Sequence, residues 1–259
     1  MTETFKDISI NEPGIILASS FEILLPFILS IIWVKYFKAT KFPILIGLLG
    51  FICSVGIESI FVLLVTKIFG KESLMISFIS ILSPGIFEET GRYIFFNYLL
   101  WKNKDKNICI SYGIGHGGIE SILIGISFLS YIFAKNTLIE QGALKESITF
   151  FICFMSAWER FFSVMLHISL SVIVYKSCKE KKMFYYILAI ILHDAVDFFA
   201  FLKAKGILTS IFLIEMIIAV FSCCCGYYAF KLYIKLDEID EEIKNNKEQI
   251  IPLQDKNKS

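Results

Sequence analysis

Seven runs of the chain, at approximately 14 to 37, 42 to 69, 74 to 101, 108 to 134, 147 to 175, 184 to 203 and 207 to 234, are apolar and long enough to cross a lipid bilayer. A helix rises 1.5 Å per residue, so about 20 residues cover the ~30 Å hydrocarbon layer. Inside that layer every backbone amide must find its partner within the protein, and for runs of this length the helix is the solution. The expectation is an all-α, polytopic membrane protein: a bundle of about seven transmembrane helices around a buried polar site. A hydrophobic share of 56% over 259 residues and a mean hydropathy of +0.69 exclude an ordinary soluble domain. Short polar loops separate the runs and no internal repeat stands out. Residues 1–235 therefore read as one transmembrane domain and 236–259 as a charged cytoplasmic tail, a solvated helical extension that frays into disorder.

Orientation follows from lysines in the short loops. Segments 35 to 41, 102 to 107 and 176 to 182 carry three, three and four lysines, against two each in 67 to 73, 135 to 145 and 203 to 206. This places the N-terminus outside and the C-terminus in the cytoplasm of a multi-pass cell-membrane protein. The acidic start, M-T-E-T-F-K-D, lacks a basic region, so the first run is expected to remain as an anchor. A net charge of +1 and the lack of a basic patch interleaved with aromatics argue against nucleic acid as a partner. The seven cysteines lie in apolar runs without C-x-x-C spacing and read as small buried residues.

Charge inside the third run is the feature that needs a function. Ser83 to Arg92, S-P-G-I-F-E-E-T-G-R, places two carboxylates and a guanidinium where lipid should be. Each charge at a helix centre costs at least ~2.5 kcal/mol on insertion scales unless it is paired. On a helix Arg92 is i,i+4 from Glu88 and i,i+3 from Glu89, so it can hold one carboxylate and leave the other free. Arg92 and Arg160 are the only arginines beside 23 lysines, and both accompany an intramembrane glutamate. Guanidinium suits a buried carboxylate because it is planar, forked and permanently charged. Pro84 and Gly85 predict a broken or kinked helix just before this group.

Further polar residues fall on the next three runs. The fourth reads S-Y-G-I-G-H-G-G-I-E, with His116 and Glu120 on one face and glycines that admit a close neighbour. The fifth reads W-E-R-F-F-S-V-M-L-H, where Arg160 and His167 share a face and Glu159 lies about 80° round. The sixth reads H-D-A-V-D, with His193 and Asp197 on one face and Asp194 pointing elsewhere. Counted from the inner ends of their spans, His116, His167 and His193 lie at roughly 12, 12 and 14 Å, and Glu88, Glu120 and Asp197 at roughly 18 to 20 Å. Three imidazoles at one depth, with acids one turn away, fit zinc: three protein ligands plus water is its catalytic arrangement. On this reading His116, His167 and His193 bind the metal, and Glu88 or Glu89 is the general base. Glu120 and Asp197 orient a ligand or supply a fourth one, while Arg92 or Arg160 steadies a carboxylate or the developing oxyanion. Glu22, Glu58 and Glu215 read as bundle-facing structural acids with hydroxyl partners or a proton.

The E-E-T-G-R of 88 to 92, the G-H-G-G-I-E of 115 to 120 and the H-D-A-V-D of 193 to 197 resemble the three intramembrane motifs of the CAAX-protease and bacteriocin-processing (ABI) superfamily. The closest likeness is to its PrsW-like branch, and there to the YhfC family of intramembrane metalloproteases, over about residues 80 to 200. That resemblance implies a multi-helix bundle in which paired glutamates activate water and histidines bind a metal or stabilise an oxyanion. Arg92 follows Glu88 by four residues, His116 is followed by Glu120, and the third motif ends in Asp197. These features separate the chain from prenyl-protein proteases; His167 enters the ligand set on the depth argument alone.

The function expected is a zinc-dependent intramembrane endopeptidase acting on a membrane-embedded or membrane-proximal peptide, with membrane lipid and that substrate as its partners. A proton-coupled or metal-ion transporter is the main rival, since carboxylate and histidine chains also mark ion paths. A haem protein with two facing histidines and a non-catalytic bacteriocin-immunity protein are the others.

Overall fold

The computed structural model describes residues 8–71, 73–103, 105–141, 144 and 147–256. It is all-helical: α1 Glu12–Tyr36, α2 Phe42–Phe69, α3 Leu74–Tyr98, α4 Asn107–Glu140, α5 Phe150–Glu180, α6 Met183–Ala204 and α7 Ile211–Lys256. Among the described residues there is no strand. One parallel bridge pairs Ile10 with Ile148, through Asn11 N–H to the Ile148 carbonyl and Ile148 N–H to the Ser9 carbonyl, both 2.9 Å.

Local chemistry sets several helix starts. Asn11 Oδ1 accepts from Gly14 N–H at 2.8 Å ahead of Pro13 in the first turn of α1, and Ser73 and Thr149 cap α3 and α5 in the same way. Lys181, in the left-handed region at φ 55°, ends α5, and the Lys182 amide turns back to the Ser177 carbonyl. The charged tail expected from residue 236 is a helical continuation of α7, which runs to Lys256; the side chains of 237–256 and residues 257–259 lie outside the described part.

Among the described residues five helices are long and apolar enough to cross a membrane: α1, α2, α4, α5 and the Ile211–Leu236 part of α7. The remaining two, α3 and α6, carry Glu88, Glu89 and Arg92, and His193, Asp194 and Asp197. The expected break at Pro84 is not seen, and α3 is one helix from Leu74 to Tyr98. Proline's own φ is helical and its cost is one backbone hydrogen bond, which a packed helix tolerates. What this segment supplies is proximity: a Cβ on Gly85 would sit 2.0 Å from Asp194 Oδ1 and 3.1 Å from the Ile190 carbonyl of α6.

Helix α4 lies at the centre, against α1, α2 and α5; α3 packs on α2 and α6, and α7 on α5. Its glycines permit backbone-to-backbone approach, since a Cβ on Gly115 would lie 1.9 Å from the Ile44 carbonyl oxygen and one on Gly113 would lie 2.5 Å from Ile168 Cα. Gly47 of α2 answers from the other side, its Cβ position 2.1 Å from the Tyr112 carbonyl oxygen. One end of the bundle is filled by Phe96, Tyr112, Leu170, Ile173 and Tyr175, with ring centroids 4.8 Å apart for Phe96 and Tyr112 and 5.3 Å for Phe96 and Tyr175. The outer surface is apolar in turn: Leu17, Ile31, Ile60, Phe133 and Ile191 all point away from the protein. In water such a surface would aggregate; in a bilayer it is the solvated face.

Gly115→Leu is expected to destabilise the bundle by about 3 kcal/mol or more, read as a lower thermal midpoint in detergent. Gly56→Ala, at a helical position with nothing within 4 Å, should be neutral or stabilise by up to ~1 kcal/mol.

Candidate metal centre

Four helices converge on one polar centre. Helix α3 brings Glu88, Glu89 and Arg92, α4 His116 and Glu120, α5 Arg160 and His167, and α6 His193 and Asp197. Arg92 donates from Nη1 to both oxygens of Glu89 at 2.6 Å, and both side chains are fully buried. The choice that sequence spacing left open is thereby made: the guanidinium holds Glu89, not Glu88. Glu89 Oε1 also lies 2.9 Å from His193 Nδ1. Because Glu89 is locked from two sides, it is a fixed acceptor that sets the orientation of the His193 ring.

Glu88 faces a different set. Its Oε2 lies 2.9 Å from His116 Nε2 and 4.0 Å from His193 Nε2. His167 Nε2 is 2.6 Å from Glu120 Oε2, and its Nδ1 is 3.3 Å from Arg92 Nη2. Guanidinium only donates, so the Nδ1 lone pair faces Arg92, and a metal held by His167 would take a ring lone pair in place of one of these two contacts. Arg160 donates to Glu120 Oε1 at 2.8 Å and holds its chain neighbour Glu159 with Nε and Nη2. Asp197 Oδ2 lies 3.7 Å from His193 Nε2. The side chains of Asp197 and Glu120 keep 32% and 22% exposure, whereas Glu89 and Arg92 have none, so the centre opens on the Asp197 and Glu120 side.

All three histidines meet here, with ring centroids 5.2 Å apart for His116 and His167 and 5.3 Å for His167 and His193. The pairings, however, run between helices. Glu120 shares a helix face with His116, yet its partners are His167 and Arg160; His116 is taken by Glu88 from α3. One oxygen of Glu88 and one ring nitrogen each of His167 and His193 lie within 4.8 Å of one another, all buried. Tyr112 stacks on His116 at 5.8 Å and Phe51 meets its edge at 5.2 Å. Tyr112 is visible in the sequence as the residue one turn before His116, but Phe51 comes from α2 and no local pattern marks it. Asp194 stands apart from the cluster, against Gly85.

The family model of the YhfC intramembrane metalloproteases matches residues 21–218. This chain belongs to that family. It is also 27% identical over 169 residues to the uncharacterized membrane protein YhfC of Bacillus subtilis (strain 168), covering 58% of this chain and 66% of that protein. The matched region thus spans just under two thirds of the relative. A metalloprotease family implies a metal, and the Glu88, His167 and His193 cluster is a donor set able to hold one.

The residues fit a cation on two counts. Imidazole and carboxylate are the common protein ligands of first-row divalent metals. Charge balance agrees: five carboxylates, of Glu88, Glu89, Glu120, Glu159 and Asp197, share the network with two guanidiniums. An excess of carboxylates over guanidiniums in a network that is largely out of solvent is costly and calls for protons or a cation.

Elemental analysis of the purified protein is expected to find about one divalent metal per chain, falling below a tenth in His167→Ala and His193→Ala. Arg92→Met strips Glu89 of its buried partner and should cost about 3 to 5 kcal/mol in thermal or denaturant unfolding, well beyond the cost of an exposed Lys71→Met.

Proposed function

We propose that this protein is an intramembrane metal-dependent endopeptidase that cleaves a membrane-embedded or membrane-proximal peptide bond. The observation that carries this reading is that each member of the donor set has a partner of its own. Glu88 is held by His116, His193 by Glu89 and His167 by Glu120, the outer-shell arrangement that fixes ligand orientation in metal sites. Glu88, His167 and His193 would hold the metal, a two-histidine, one-glutamate set that leaves a position for water. A zinc ion bound there would lower the pKa of water toward ~7 and polarise the scissile carbonyl.

The protein's own groups do the rest. Asp197, beside His193 Nε2 and on the open side, is the carboxylate placed to take a proton from the attacking water and return it to the departing amine. Arg160, balanced by Glu120 and Glu159, stands at the same opening and can steady charge that develops on the substrate. Arg92 is the anchor beneath, holding Glu89 in place. The lysine distribution orients the chain with its N-terminus outside, and the motif pattern supports a place in the PrsW-like branch of the CAAX-protease superfamily.

A second reading rests on the ring distances of 5.2 and 5.3 Å: the three histidines hold the metal and Glu88, free of Arg92, is the base. The transporter alternative draws on Glu22, Glu58 and Glu215. Two of these have local partners, Ser156 donating to Glu22 and Ser83 to Glu58, both at 2.7 Å, as a structural acid would.

Metal content and peptide cleavage measured together separate these readings. Asp197→Asn is expected to keep its metal and lose about 10²- to 10⁴-fold in turnover, while Glu88→Gln loses both metal and activity. Retention of metal by an inactive Glu88→Gln would instead establish the three-histidine reading. An Asp197→Asn variant that cleaves at the wild-type rate would remove Asp197 from the chemistry.

A further inference from the structure

A second built feature lies away from the metal centre. Between α1, α2 and the outer face of α4 runs a groove of about 520 Å³ walled by apolar side chains, among them Phe27, Ile31, Leu45, Leu48 and Ile122. Gly115 and Gly118 are part of its lining, and their missing side chains let Ile44 and Pro26 close in on α4. At one end the lining changes character, to Lys35 and Lys41. Lys35 belongs to the last turn of α1 and Lys41 precedes α2, so both ammonium groups stand where the helices leave the membrane.

Everything at that end selects for negative charge. Among the described residues no carboxylate lines the groove, and no ion pair engages Lys35 or Lys41. The chain between Glu22 and Glu58 contains lysines at 35, 38 and 41 and no acid at all. Helix α2 starts there, directly after Lys41 and without a side-chain cap, so the positive end of a 28-residue helix dipole adds to the charge of Lys41. Trp33, stacked on Phe37 at 4.4 Å, and Tyr36 under Lys35 fix this level as the headgroup layer.

We propose that this groove is a binding site for one anionic phospholipid. An acyl chain lies along Phe27, Ile31, Leu45 and Leu48, and the headgroup phosphate is held by Lys35, Lys41 and the start of α2. The reading is independent of the metal centre, which faces the opposite side of α4.

The test uses the full chain in mild detergent, stripped of native lipid and titrated with phosphatidylglycerol or phosphatidylcholine carrying the same acyl chains, with bound lipid counted by native mass spectrometry. Wild type is expected to prefer phosphatidylglycerol about thirtyfold, the selectivity that two near-surface lysines supply. The Lys35→Gln, Lys41→Gln double variant should bring that preference below about twofold, and the Lys67→Gln, Lys71→Gln pair at the other ends of α2 and its loop should leave it unchanged. Leu45→Trp, which fills the groove and keeps both charges, should abolish the tight phosphatidylglycerol adduct. The proposal falls if the Lys35/Lys41 variant keeps the preference, if the Lys67/Lys71 variant loses it equally, or if Leu45→Trp binds as wild type does.

Discussion

The whole interior is arranged around the ion pair between Arg92 and Glu89. A guanidinium and a carboxylate that are both fully out of solvent are tolerable only in close contact, and the two 2.6 Å contacts from Nη1 to both oxygens of Glu89 provide it. Once formed, the pair has directional consequences. Glu89 turns its remaining capacity to His193, and the other arm of Arg92 reaches His167. Residues on three helices are thus referenced to one point on α3. The price of keeping Arg92 in the membrane is met by a centre that could not be assembled without it.

Packing makes that reference rigid. Tyr112 and His116 on α4 can sit beside α3 and α5 because the glycines between and around them bring the neighbouring backbones to contact distance. With larger residues the helices would separate by some ångströms, and contacts such as His116 to Glu88 at 2.9 Å would open. The small residues near the histidine and the polar residues around it are therefore parts of one design: the first set the spacing that the second require.

Much of this was legible from residue order alone. Apolar run lengths give the helices, with α2 starting at Phe42 and α3 at Leu74 where the runs begin. The three-residue step from Glu89 to Arg92 permits the ion pair, and the four-residue step to Glu88 permits its alternative; spacing cannot choose between them, because both are neighbours on a helix. Same-face reasoning pairs His116 with Glu120, and the structure does not. Side chains on one face can point past each other to a second helix, and which neighbour they meet depends on helix rotation, a tertiary quantity. The unbroken course of α3 through Pro84 belongs to the same class, since the stiffness of a packed bundle overrides a local preference. Phe51, set edge-on to His116, carries no local signal at all.

The economy of arginine has a practical corollary. Only Arg92 and Arg160 interrupt a chain whose other cations are lysines, and both end in the buried network. A sample isotopically labelled at arginine alone would show guanidinium resonances from two side chains, each touching the carboxylates that surround the histidines. The protein thus carries its own pair of spectroscopic reporters, already installed at the centre of interest and silent everywhere else.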